Sequence, residues 1–197
     1  MRALRLATTN PGKIREVRGL LAGLNVGVDT LADRPSIPEP EEAADTFAGN
    51  ARLKARYYAA YFPGELVVAD DSGLVIDALD GAPGVHSARF LGPNATYPER
   101  FDDIFRRLAG LPDERRTARF VCALAVAEGD RIVFETEGIV GGRIAHRPAG
   151  AGGFGYDPIF FFPPLGCTLA EADHVKAAVS HRGQAVAALA RWVGDLG

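Results

Sequence analysis

Four short stretches of the chain carry residue types that chemistry on an anionic substrate would need. The first is Thr8-Thr9-Asn10-Pro11-Gly12-Lys13, where a strand-like run ends in an Asn that can cap a helix and a Pro suited to the first helical position. Unpaired N–H groups and the positive end of the helix dipole favour an oxyanion there, and Lys13 adds a full charge. The stretch is not a Walker A loop, because its first Gly is missing and Ile14 stands where Ser or Thr would reach magnesium. An ordinary helix cap explains the same residues. The second stretch, Asp70-Asp71-Ser72-Gly73, sets two carboxylates side by side at the end of an apolar run, the end of α/β strands where ligands usually bind. Their mutual repulsion calls for a nearby cation or strong hydrogen bonds, and hard oxygen donors in small number suit Mg2+ completed by substrate phosphates. An acidic turn between two strands is the bland alternative. The loop carboxylates Glu39, Glu41 and Glu42 could add a metal ligand, or form a solvated charge run.

The third stretch, Gly150-Ala151-Gly152-Gly153-Phe154-Gly155, matches G-x-G-x-x-G only formally, since Tyr156-Asp157-Pro158 and a Phe-rich strand follow it rather than a helix. A pliable loop presenting aromatic faces, on which a nucleobase could stack, accounts for it better; aromatic side chains pinning the loop to the core would also do so. The fourth places Lys176 and Ser180-His181-Arg182-Gly183 before the last helix, a set of donors for a carbonyl or phosphate, with Ser180 equally readable as an N-cap. His86, His146 and His174 stand alone, without ligand spacing.

These stretches need elements to hold them. Apolar spacing predicts a strand at Leu4–Thr8, then a helix with Ile14, Val17, Leu20, Leu21 and Leu24 on its apolar face, and a second strand at Val26–Leu31. Arg34–Asp45, with three prolines and four carboxylates, reads as a loop. A helix from Asp45 or Thr46 to Tyr61 precedes a strand at Leu66–Ala69, the acidic turn, and a strand resuming at Leu74–Ile76. Pro98–Leu108 is a helix, Thr117–Ala127 with Ile132–Val140 a hairpin, Arg143–Ala145 a short strand, and Arg182–Leu196 the closing helix. Alternating strands and helices with a long hairpin predict an α/β fold with a mixed rather than purely parallel sheet.

The 197 residues, 47% hydrophobic and 24% charged, suit one compact domain with a sizeable core and exclude disorder as the main state. Lys and Arg total 22 against 25 Asp and Glu, a net charge of −3, which argues against binding nucleic acid through its phosphates. No apolar run approaches the roughly 20 residues that span a bilayer, and no export signal is read at the start. Cys122 and Cys167 lack zinc-site spacing and fit a reducing compartment, so a cytoplasmic location is expected.

Taken together, LATTNPGKIREV, TFAGNARLKA, ADDSGLVIDALDGAPGVHSARF, GGFGYDPIFF and SHRGQA, in that order from Leu6 to Ala185, resemble the inosine/xanthosine triphosphate pyrophosphatase family. The resemblance implies a single ITPase-like domain over residues 1–197, with an elongated mixed β-sheet flanked by helices and two lobes around a central nucleotide-binding cleft. It implies a homodimer that uses Mg2+ to hydrolyse ITP, XTP and dITP to the monophosphate and pyrophosphate, with a purine nucleoside triphosphate as its partner and neither nucleic acid nor membrane. Carried over, Thr8, Thr9, Asn10, Gly12 and Lys13 hold the triphosphate, with Ser72 contacting it. Asp71 is the catalytic base and a magnesium ligand, and Glu41 the second ligand. Phe154, Gly155, Tyr156 and Asp157 line the base pocket, which Lys176, His181 and Arg182 complete. Two departures stand out. Gly49 replaces the Glu the family carries before Asn50, and Glu41 is placed only by counting back from Thr46-Phe47, so that Glu39 or Glu42 could serve. A phosphatase releasing orthophosphate and a non-catalytic nucleotide-binding regulatory module are the alternatives.

Overall fold

A computed structural model describes residues 3–23, 26–33 and 37–195. Leu24 of the expected helix face, residues 34–36 of the expected loop and Leu196 lie outside the described residues. The chain divides into two compact units: one comprises Met1–Asp71, Cys122–Gly138 and His181–Gly197, the other Ser72–Val121 and Ile139–Ser180.

The first unit begins with β1 (Ala3–Leu6), α1 (Pro11–Leu21) and β2 (Gly27–Thr30), followed by α2 (Phe47–Ala59). Next comes β3 (Leu66–Ile76), whose residues up to Asp71 belong to this unit. β1 pairs in parallel with β2 and with β3, so α1 carries the chain to one side of β1 and α2 returns it to the other. That reversal is a topological switch point, the place where the carboxyl ends of parallel strands leave a crevice for ligands. Strand geometry sorts the core. Alternate residues face opposite sides: Leu66 and Val68 pack with α1 and with the closing helix α5 (His181–Asp195), while Val67 and Ala69 pack with α2. β4 (Thr117–Glu128) repeats the pattern, with Cys122, Leu124 and Val126 on the first face and Ala123, Ala125 and Ala127 on the second. The small side chains of that stripe meet Ala51, Ala55 and Ala59 of α2.

In the second unit, α3 (Tyr97–Arg107) is opened by a capping box between Thr96 and Glu99, and its Phe101 and Ile104 enter a core with Leu74, Ile76, Phe120, Ile144 and Phe160. β4 and β5 (Arg131–Ile144) are joined through Gly129 and Asp130 as the expected hairpin. β5 then pairs antiparallel with β6 (Phe160–Phe162), which pairs antiparallel with β7 (Cys167–Thr168). The strand order is β2-β1-β3-β4-β5-β6-β7, a mixed seven-stranded sheet in an α/β fold, as the alternation of elements predicts. The Arg143–Ala145 strand proves to be the end of β5, and α4 (Asp173–Val179) is a short helix the apolar spacing does not reveal.

One expectation is overturned where it matters most. Asp70-Asp71-Ser72-Gly73 is not a turn but lies inside the unbroken strand β3.

Candidate active site

A strand interior is a costly place for two adjacent carboxylates unless each is partnered, and the two-residue period of β3 gives each a different face. Asp70 points with Leu66 and Val68 toward α1 and α5, and Asp71 with Val67 and Ala69 toward α2. Each meets cations from the helix on its own side.

On the first face, Asn10 caps α1, its Oδ1 accepting from the Gly12 and Lys13 amides at 2.9 and 3.2 Å; the Asn10 amide in turn donates to Thr8 Oγ1 at 3.2 Å. This cap turns the chain so that Lys13 Nζ lies 2.9 Å from Asp70 Oδ2, with both side chains largely enclosed. Arg182, the second residue of α5, brings Nη2 to 3.5 Å from the same oxygen, while its Nη1 donates to Glu16 Oε2 at 2.5 Å. Burial alone would push the Asp70 carboxyl up, but Lys13, Arg182 and Lys54 outweigh it and hold this group well below the usual carboxylate range. The same carboxylates keep buried Arg182 firmly charged.

On the second face, Asp71 is buried; its Oδ1 lies 3.1 Å from Lys54 Nζ, and its Oδ2 accepts from Asn50 Nδ2 at 3.2 Å. Lys54 Nζ also reaches Glu42 Oε1 at 2.7 Å, bridging two carboxylates. The acidic loop before α2 is tied in at three points: Thr9 Oγ1 donates to Glu39 Oε1 at 3.1 Å, Glu42 pairs with Lys54, and the Ala44 amide donates to Asn50 Oδ1 at 3.0 Å. Among the three loop glutamates, Glu42 is the one whose side chain meets the Asp71 cluster; Glu41 is exposed. Burial dominates at Asp71 and, with Glu42, raises its carboxyl above the ordinary value against the opposing pull of Lys54 and Asn50. Two neighbouring carboxylates are thus driven in opposite directions, the pattern that separates a fixed charge from a group able to accept a proton.

Lys54 and Asn50 escaped sequence reasoning. Both were in view within TFAGNARLKA, and their helical spacing of four residues puts them on one face. What could not be read was that this face meets β3 at Asp71. Among the described residues no three His, Cys, Asp or Glu side chains gather as a metal cluster. Asp71 and Glu42, already arranged about one positive charge on Lys54, are nevertheless hard oxygen donors of the kind magnesium takes when phosphate oxygens supply the rest.

In the second unit, Ser72 is half-buried directly after Asp71 on β3. The Gly-rich loop is held from within. Asp157 Oδ2 accepts from the Phe154 amide at 2.7 Å and from Lys176 Nζ at 2.7 Å; both charged side chains are buried, and Lys176 Nζ stands 4.7 Å from the Phe154 ring centre. Gly153 and Gly155 have φ of 69° and 68°, and a side chain at Gly153 would collide with the Asp157 carboxylate. Tyr156 is anchored by its hydroxyl donating to Ser87 O at 2.9 Å. Phe154, Gly155, Tyr156, Asp157 and Lys176 therefore form one cluster. His181 and Arg182 belong to the first unit, where both are buried. A three-residue 3-10 turn, Asp157–Ile159, leads from the Gly-rich loop into β6, so the loop does not open an α-helix, as expected.

The sequence model of the Ham1 family matches residues 4–192. A protein of an Exiguobacterium species named dITP/XTP pyrophosphatase is 49% identical over 182 residues, covering 92% of this chain and 91% of its own. A solved structure of a HAM1 protein from Coxiella burnetii superposes with a TM-score of 0.90 at 40% identity, covering 99% of this chain and all of that one. A crystal structure titled nucleoside-triphosphatase / dITP/XTP pyrophosphatase from Mycobacterium abscessus gives 0.75 at 42% identity over 95% of this chain and 98% of its own.

Proposed function

The chain belongs to the Ham1 family, and from that premise we propose that it hydrolyses aberrant purine nucleoside triphosphates such as ITP, XTP and dITP to the monophosphate and pyrophosphate. It is a hydrolase of nucleotide metabolism, and the whole chain, 1–197, acts as one domain. The relatives' names support the substrate class. The observation that carries the reading into chemistry is the divided pair on β3: Asp70 locked as an anion among cations, and Asp71 raised and ready to take a proton.

Asp71 accepts the proton of the water that attacks the α-phosphorus, and Lys54 and Asn50 fix the carboxylate that does so. Lys54 also opposes the rise that burial imposes on that carboxyl, favouring its ionised form. Thr8, Thr9, Asn10, Gly12 and Lys13 hold the triphosphate, and Ser72 is a further substrate contact. Because the Asn10 side chain already occupies the Gly12 and Lys13 amides and the Thr9 hydroxyl donates to Glu39, the Thr8 hydroxyl and the Lys13 ammonium carry most of this contact. Asp71 with Glu41 or Glu42 would hold Mg2+, which would neutralise phosphate charge and improve the pyrophosphate leaving group. The contact between Glu42 and Lys54 favours Glu42 as the loop partner.

The Phe154 ring is a stacking surface for a purine, with Gly155, Tyr156, Asp157 and Lys176 of the same cluster lining it; His181 and Arg182 are further substrate contacts. A 6-oxo purine accepts hydrogen bonds where adenine would leave buried donors unmatched, a mismatch worth orders of magnitude in rate. The active form is a cytoplasmic homodimer.

The test is steady-state hydrolysis of ITP, XTP, dITP, GTP and ATP with and without magnesium, reading both phosphate products. Pyrophosphate is expected, with ITP, XTP and dITP preferred; orthophosphate as the sole phosphate product would overturn the reading. Asp71→Asn is expected to lower kcat by about 10²-fold or more, and near-normal turnover would remove Asp71 from the role of base.

A further inference from the structure

Asp70 is the one carboxylate of the β3 pair for which proton transfer has no use, yet it is nearly enclosed and sits between two cations supplied by different helices. Its Oδ2 lies 2.9 Å from Lys13 Nζ and 3.5 Å from Arg182 Nη2, and Arg182 is braced on its far side by Glu16 Oε2 at 2.5 Å. Lys13 is a flexible arm whose charge would otherwise be spread over many rotamers. From this geometry we infer that Asp70 is a positioning residue: anchored by Arg182, it occupies the place of an anion beside Lys13 and aims that ammonium before the pyrophosphate moiety of the substrate arrives. The inference rests on the proposed triphosphate site at Lys13 and adds a residue to which that reading gives no task.

Two consequences separate this role from mere support of the fold. Asp70 repels an arriving anion while it orients Lys13, so neutralising it as Asp70→Asn should tighten the binding of pyrophosphate even as it slows turnover. Because it acts through Lys13, its effect on kcat/KM should largely vanish once Lys13 is gone.

The experiment is a double-mutant cycle of wild type, Asp70→Asn, Lys13→Ala and the double variant, assayed for kcat and KM on dITP. Binding of inorganic pyrophosphate to wild type and Asp70→Asn is measured by calorimetry alongside. Asp70→Asn is expected to lower kcat about tenfold or more and to tighten pyrophosphate binding several-fold, with the double variant within about twofold of Lys13→Ala in kcat/KM. Losses that multiply in the double variant, or pyrophosphate binding unchanged or weakened in Asp70→Asn, overturn the inference. Should Asp70→Asn not fold, Asp70→Glu keeps the charge while displacing it by one methylene. In the same cycle it should lose turnover non-additively with Lys13→Ala, and additive losses again overturn the inference. If wild type releases only orthophosphate, the functional reading fails by itself; the cycle is still scored on the product formed and judges Asp70 separately.

Discussion

At the residue scale, Asp71 is governed by a contest between burial and Glu42, which raise its carboxyl, and Lys54 and Asn50, which lower it. As the proposed base, Asp71 must be deprotonated to work, so activity should fall as pH drops through this raised value. Removing the Lys54 charge takes away the strongest pull toward the ionised form, so Lys54→Met should move the acid limb of the kcat/KM profile to higher pH, whatever it does to the plateau. Lys54→Arg, which keeps the charge, should return the limb toward its original position, and a limb unmoved in Lys54→Met would show that another group sets it. Gly49 poses a second question at this scale. A Cβ there would lie 2.7 Å from Ala44 Cβ and 3.0 Å from Thr46 Oγ1, inside normal contact, so the glycine lets the acidic loop close onto the start of α2. Gly49→Ala should therefore push Ala44 away, weaken its amide bond to Asn50 and loosen the partner that fixes Asp71. A fall of roughly tenfold in kcat, with KM changed less, is the expected outcome for a misplaced base.

At the scale of elements, legibility followed the range of the forces involved. Asn10-Pro11 announces α1 and Thr46 announces α2, because caps act within three residues. The hairpin is equally plain from two strand-like runs, Thr117–Ala127 and Ile132–Val140, either side of a short turn at Glu128-Gly129-Asp130. The strand through Asp70-Asp71-Ser72-Gly73 was hidden, since Asp and Gly disfavour strands locally; what holds them there is Lys13, Lys54 and Arg182, remote in sequence. For the same reason the sequence alone does not reveal Glu16 as a brace for Arg182. Close approach of elements is also invisible in sequence. On β5, a side chain at Gly138 would overlap the His181 carbonyl and come 3.0 Å from the Ala185 amide, so α5 can begin where it does only because this position lacks a Cβ. Gly138→Ala must shift the first turn of α5, and with it Arg182. The expectation is a melting temperature lowered by several degrees, consistent with about 1–3 kcal/mol of overpacking, and a loss of turnover larger than the lost folded fraction explains. A variant as stable and as active as the parent would show that the helix start has room to move.

At the scale of the molecule, neither unit is a continuous piece of chain. The first is assembled from three stretches, with β3, β4 and β5 each carrying the chain from one unit to the other. Its core depends on that assembly: Leu6, Leu66 and Val68 from the first stretch are covered by Leu124 and Val126 from the second and by Val186 and Leu189 from the third. The site has the same dependence, since Lys13 and Asp70 come from the first stretch and Arg182 from the last. The fragment Met1–Asp71 holds most of the residues proposed to bind phosphate and to move the proton, yet it lacks the strand and helix that bury its apolar faces. A chain of this length without that cover cannot offset its conformational entropy, roughly 1–2 kcal/mol for each ordered backbone residue. Expressed alone, it should show the circular dichroism of a largely unfolded chain, melt without a cooperative transition and leave dITP intact. A sharp melt of this fragment would mean that the first stretch holds a core of its own, and that the interrupted unit is not the unit of folding.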